Sequence, residues 1–152
     1  MMTIGRQGAI CGLLIVLTAS SAALALTGAE TVRIRQERFG EMARAMKFAA
    51  NHWDDSGRYG DISKAAGLIE RDAQTLPKLF PAGTGRGEGV RTDALSAIWS
   101  DRSGFDHLAA QLAQDAAKLA SITSATPSNE VRGDIKVMVA TCKACHRDYR
   151  AD

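Results

Sequence analysis

Apolar residues recur every three or four positions along four stretches of this chain, and the spacing predicts helices from about Glu30 to Trp53, Asp61 to Leu79, Ser103 to Ile122 and Ser128 to Tyr149. In the first, Val32, Phe39, Met46 and Trp53 form one heptad series, with Arg35, Met42 and Ala49 interleaved. In the last, Val131, Met138 and Cys145 form one series and Ile135, Cys142 and Tyr149 the other. The second stretch offers Ile62, Ala66, Ile69, Ala73, Leu76 and Phe80; the third offers Phe105, Leu108, Leu112, Leu119 and Ile122. Seams of this kind are what bundled helices bury against one another. No strand-like alternation of useful length interrupts them, so the expected fold is all-α, an antiparallel up-down-up-down four-helix bundle.

The boundaries carry their own signals. Asp61 and Ser63 suit the second helix start, and Ser103 and Ser128 suit the third and fourth. Pro77, Pro81 and Pro127 fall at or near helix ends, where the ring does least damage. Residues 80–102 form the one long connection, with Gly83, Gly85, Gly87 and Gly89, which is either a functional loop or a flexible crossover. Up-down-up-down order brings the end of the fourth helix beside the start of the first, the end of the second, the start of the third and this loop. Arg35, Phe39, Met42, Trp99 and Phe105 can all reach that end, whereas His52 lies about 20 Å along the axis from Phe39.

Residues 1–25 have the form of a secretory signal: Arg6, an apolar run from Ala9 to Leu17, and small residues ending in Ala23-Leu24-Ala25, with cleavage after Ala29 as the alternative. The run is short for a bilayer span, which favours cleavage over an anchor. The remainder, 30–152, is expected to form one domain. Nineteen Lys and Arg balance seventeen Asp and Glu and are dispersed, which argues against nucleic acid or, after cleavage, a membrane surface as partner. Of three cysteines, Cys11 would leave with the signal, so the exported chain keeps Cys142 and Cys145 alone.

Those two belong to Cys142-Lys143-Ala144-Cys145-His146. C-x-x-C-H is the attachment pattern of a c-type haem, in which both thiols bond the macrocycle and the adjacent imidazole ligates iron. Residues three apart share a helix face, so Cys142 and Cys145 can reach neighbouring vinyl groups while His146 meets the metal. A structural zinc site wants four ligands, and no second pair exists here. A thioredoxin-like pair would follow a strand, whereas this one closes a helical chain. One covalently attached haem c is therefore the expected cofactor, and covalent capture explains how two thiols persist in an oxidising compartment.

Arg35 is the anomaly of the first seam, because a guanidinium among apolar residues carries a desolvation penalty unless it is partnered. A haem propionate is the partner expected; the alternative is an arginine that snorkels into water. The sixth coordination position decides the chemistry. Phe39 offers no lone pair and would leave iron five-coordinate and open to a small neutral gas. Met42 would close the site and make a six-coordinate electron carrier. His107 shares a face with Asp106 and Gln111 and reads as a solvated histidine. No distal base with a positioned partner is evident, so an enzyme is not expected.

These residues resemble cytochrome c′, the helix-bundle class of c-type cytochromes, over essentially the whole of 30–152. The matching segments are Arg35-Gln36-x-x-Phe39-x-x-Met42, Leu79-Phe80-Pro81-x-Gly83-Thr84, Ala97-Ile98-Trp99-Ser100-Asp101 with Phe105, and Cys142-Lys143-Ala144-Cys145-His146-x-x-Tyr149-Arg150. The resemblance implies a periplasmic haem protein, often dimeric through its first two helices, binding nitric oxide or carbon monoxide and exchanging electrons with a partner protein the sequence does not name. It implies His146 as the axial ligand, Arg35 and Gln36 near the propionates, Phe39 over the distal face, Asp93 at a loop position that touches the haem in some members, and Arg150 as the proximal basic residue; Trp99, which can reach the same end, is a further candidate for binding the cofactor. Relatives of the cytochrome c-556 kind carry a methionine ligand instead, which keeps Met42 open.

Overall fold

The computed structural model describes residues 27–151, so the segment read as a signal, 1–25, lies outside the described residues. Helix α1 (Gly28–His52) starts on Thr27, whose hydroxyl accepts from the Glu30 amide at 3.2 Å. A 3₁₀ turn (Ser56–Arg58), capped by the Asp55 carboxylate, leads into α2 (Tyr59–Thr75). The second helix was expected to run on to Leu79. It instead tightens into a 3₁₀ turn, Leu76–Leu79, because Pro77 has no amide to continue an α ladder. The long connection contains a four-residue helix, α3 (Ala97–Ser100), that apolar periodicity did not reveal. Then come α4 (Arg102–Ala120) and α5 (Ser128–Tyr149).

The capping residues also differ from expectation. Asp101, not Ser103, caps α4 by accepting from the Gly104 amide at 3.2 Å, and α5 starts after Pro127 without any side-chain cap. Ser63 lies inside α2 and donates its hydroxyl to the Ala120 carbonyl, tying the start of α2 to the end of α4.

Cross-links of this kind define an antiparallel bundle. Arg102 donates to the Pro77 carbonyl at 2.8 Å and so joins the start of α4 to the end of α2. Tyr149 donates to Asp101 at 2.6 Å and brings the end of α5 to the same place. Helix α2 packs most fully against α4, α1 lies on α2, and α5 on α4, while α1 and α5 barely meet. The most complete packing lies at the end remote from the C-terminus, where Ile62, Leu119 and Val131 are wholly buried and Tyr59 donates to the Trp53 carbonyl at 2.8 Å. Buried Ala49, Ala66, Ala73, Ala109 and Ala116 allow the helices to approach closely there and along the axis.

Candidate functional site

At the other end, the poor contact between α1 and α5 leaves a largely apolar cavity of about 610 Å³, a size typical of a small-molecule or cofactor site. From α5 it is lined by Cys142, Cys145, His146, Tyr149 and Arg150; from α1 by Arg35, Gln36, Phe39 and Met42; and from the long loop by Thr92, Asp93 and Ala94. The seven-residue periodicity of α1 and α5 aims these residues at a common space, and small side chains on α1, Gly40 and Ala43, leave it open.

The cysteines are half-buried, free thiols one helical turn apart. Burial pushes the Cys142 thiol above its ordinary value, with help from the Asp115 carboxylate. Burial raises Cys145 to about 11, assisted by Cys142 and Asp148. Both stay protonated at neutral pH. His146 borders the cavity and also a shallower outer cleft with Lys143, Arg147 and Arg150. Partial burial, and then the Arg150 cation, lower its pKa, so the imidazole is neutral with a lone pair to offer a metal. Among the described residues no three His, Cys, Asp or Glu side chains gather to hold a bare metal ion.

Arg35 does not snorkel: it is 2% exposed. Its guanidinium donates to the Thr84 carbonyl at 2.9 Å and the Thr92 hydroxyl at 2.8 Å, with longer bonds of 3.3 Å to the Leu79 carbonyl and Thr84 hydroxyl, and it lies 4.2 Å above the Phe80 ring. Every acceptor is neutral. The protein therefore satisfies the hydrogen bonds of this cation without balancing its charge, and burial lowers its pKa. Gln36 beside it donates to the Arg91 carbonyl at 3.3 Å.

The loop is thus fastened rather than loose. Leu95 donates to the Tyr149 carbonyl at 3.0 Å and Ala151 to the Asp93 carbonyl at 2.8 Å, pinning the loop along the end of α5. Edge-to-face rings run from Phe39 to Phe80 (6.3 Å), Phe80 to Phe105 (4.9 Å) and Phe105 to Tyr149 (5.4 Å), across the floor of the site. Trp99 was expected at the cofactor. It is not among the residues lining the cavity: α3 turns its indole onto Gly85, and its N–H donates to the Phe80 and Pro81 carbonyls at 3.2 Å. His107 is exposed, and His52 sits at the remote end with Nδ1 2.8 Å from the Phe48 carbonyl.

A family model described as Cytochrome C' matches residues 30–150. The chain belongs to the cytochrome c′ family. The cytochrome c' of Rhodopseudomonas palustris is 32% identical over 148 residues, covering 96% of this chain and 96% of its own. That of Rhodospirillum rubrum is 31% identical over 146 residues, covering 94% and 97%. The crystal structure of cytochrome c' from Thermochromatium tepidum superimposes with a TM-score of 0.75 at 26% identity, covering 84% of this chain and 98% of that one. Cytochromes c′ carry covalently attached haem c. The residues here suit such a group: two protonated thiols and a neutral imidazole on one helix turn, a slot with aromatic walls, and a buried cation whose charge no carboxylate balances among the described residues.

The loop was expected at this end, but Thr84 and Thr92 were not foreseen as the partners of Arg35, nor Thr92 and Ala94 as cavity wall. Arg35 in an apolar seam signals that acceptors must exist, but nothing local to it points 49 and 57 positions downstream.

Proposed function

We propose that this chain is a periplasmic cytochrome c′ with five-coordinate iron, which takes up nitric oxide or carbon monoxide and can exchange electrons with a redox partner, without catalytic turnover. Residues 1–25 would be its export signal; no helix of the described residues is long and apolar enough to cross a membrane. Cys142 and Cys145 would form the thioether bonds, and His146 would be the protein ligand to iron. The haem, when bound, supplies a one-electron metal centre able to bind a diatomic gas.

The observation that carries the reading is that Phe39 lines from α1 the same cavity that His146 lines from α5. A phenyl ring gives iron no lone pair, leaves little room for ligands larger than a diatomic, and offers no hydrogen bond to steady bound dioxygen. Arg35 and Gln36 would serve the propionates, with Arg35 contributing the unbalanced positive charge described above. Arg150, one turn beyond His146, and Asp93 at the rim would border the macrocycle. Association through α1 and α2 would depend on polar contacts, since the exposed large apolar side chain among the described residues is Val137 of α5.

One observation favours a second reading: Met42 lines the same cavity and is 7% exposed. A thioether ligand would make a six-coordinate electron carrier of the cytochrome c-556 kind. Visible spectra of the holoprotein, oxidised, reduced and reduced under carbon monoxide, separate the two. High-spin features with ready carbon monoxide binding are expected, and Phe39→Ala should admit bulkier ligands such as alkyl isocyanides. A low-spin spectrum that Met42→Leu abolishes would assign the ligand to Met42 and overturn the five-coordinate reading.

A further inference from the structure

Helix α4 carries a carboxylate that the site described above does not use. Asp115 is 9% exposed, on the face of α4 that meets α5. One oxygen accepts from the Thr141 hydroxyl at 2.6 Å, the other from the Gln111 amide at 2.8 Å. Both donors are neutral, and among the described residues Asp115 forms no ion pair. Lys118 is held by Asp134 at 2.6 Å, which raises its pKa first, with the Asp115 charge as a lesser contribution from a distance. Two neutral donors hydrogen-bond this buried carboxylate without cancelling its charge. Thr141 itself lines the cavity and immediately precedes Cys142, so this charge stands one hydroxyl behind the wall. Its field already reaches that wall, since it contributes, after burial, to raising the Cys142 thiol pKa.

We propose that Asp115 is a positioning residue for the redox poise of the haem: its charge, without an ion-pair partner among the described residues and held against the cavity wall through Thr141, favours ferric over ferrous iron. The inference rests on the haem reading above. Ferric haem carries one more positive charge than ferrous haem, so a fixed anion nearby stabilises the oxidised state. At an effective dielectric of about 20, one such charge is expected to change the ferric-to-ferrous ratio roughly tenfold. Burial keeps most of that effect at physiological salt.

The test is a spectroelectrochemical titration of purified holoprotein, comparing wild type with Asp115→Asn, Asp115→Glu and Gln111→Lys. Asparagine keeps shape and can still accept from Thr141, so its midpoint should rise by the equivalent of about tenfold, ~59 mV for one electron. Glutamate should stay near wild type. Lysine at position 111 places a cation on the same carboxylate and should also raise the midpoint, which keeps the test decisive if the asparagine variant fails to fold. Visible spectra and haem-attached mass should be unchanged throughout. An asparagine or lysine variant with haem attached, a native spectrum and a midpoint within about twofold of wild type in ratio, ~18 mV, overturns the proposal. Wild-type protein that leaves the haem-attachment machinery without bound haem overturns the haem reading and this inference together.

Discussion

Replacing Arg35 by methionine keeps an unbranched apolar stem in place and removes the guanidinium. The two short bonds, to the Thr84 carbonyl and the Thr92 hydroxyl, are the ones to count, because those at 3.3 Å are weak. Hydrogen bonds from a charged donor contribute about 1.5–3 kcal/mol each, or about 3–6 kcal/mol for the pair. Against this stands the relief of no longer burying the cation, worth several kcal/mol in a site this enclosed. The offset is incomplete, because Thr84 is 2% exposed and its carbonyl is left without its donor. A net loss of about 2–3 kcal/mol results, a sizeable share of the roughly 5–15 kcal/mol that holds a domain folded. In thermal terms it is a fall of about 8–12 °C. Arg35→Lys should lose less, since an ammonium retains the charge but cannot fork to both threonines. Urea unfolding of the holoprotein gives the magnitude, and amide exchange locates it. Arg86, which donates to the Ala94 carbonyl, and Leu95, which donates to the Tyr149 carbonyl, should exchange faster while amides at the remote end do not change. A methionine variant with wild-type midpoint and unaltered loop exchange would refute the view that Arg35 clamps the loop.

Gly104→Ala, which in an ordinary helix interior would stabilise by up to about 1 kcal/mol, should destabilise here. A Cβ at that position overlaps the Asp101 carboxylate and the Tyr149 hydroxyl, and the lost hydrogen bond should appear as a lower melting temperature. That bond also has a pH signature, because the Asp101 carboxylate holds the Tyr149 phenol at about 12 against an ordinary 10.0. A raised phenol pKa favours the neutral form in the folded state. Its contribution is therefore complete below pH 10 and lost as pH climbs toward 12, a slope that Tyr149→Phe should remove from the stability profile. Asp101, lowered chiefly by the same bond, contributes above its ordinary 3.8 and should lose that contribution in acid as its folded-state pKa is crossed.

How much of this was legible in the sequence depends on whether the signal is periodic. The seams of α1, α2, α4 and α5 repeat and could be read directly, and both motif cysteines fell on the expected face. Caps do not repeat. Spacing points to Ser103 at the start of α4, whereas Asp101 caps it and is held there also by Tyr149, whose hydroxyl reaches it from the far end of the chain. The loop was readable as a glycine-rich interval, but its fastening was not. Arg35 finds Thr84 and Thr92 only once the bundle has closed, and a four-residue helix such as α3 is too short to show a period. Trp99 illustrates the same limit: its neighbourhood was correctly anticipated, and its direction was set by a backbone turn that no spacing rule encodes.

Stability and chemistry are divided along the bundle axis. The remote half fills its seams with Tyr59, Ile62, Leu119 and Val131, and Arg132 of α5 closes over the Trp53 ring at 4.9 Å. The other half places Gly40 and Ala43 on α1 opposite Cys142 and Cys145 on α5, where larger apolar residues would draw the two helices together. That half forgoes helix-to-helix packing and is fastened by polar links instead: Arg35 to the loop, the loop to Tyr149, and Tyr149 to Asp101. Substitutions at Arg35 and Tyr149 should therefore register in stability even though both residues line the cavity, because there the wall of the site and the brace of the fold are the same side chains.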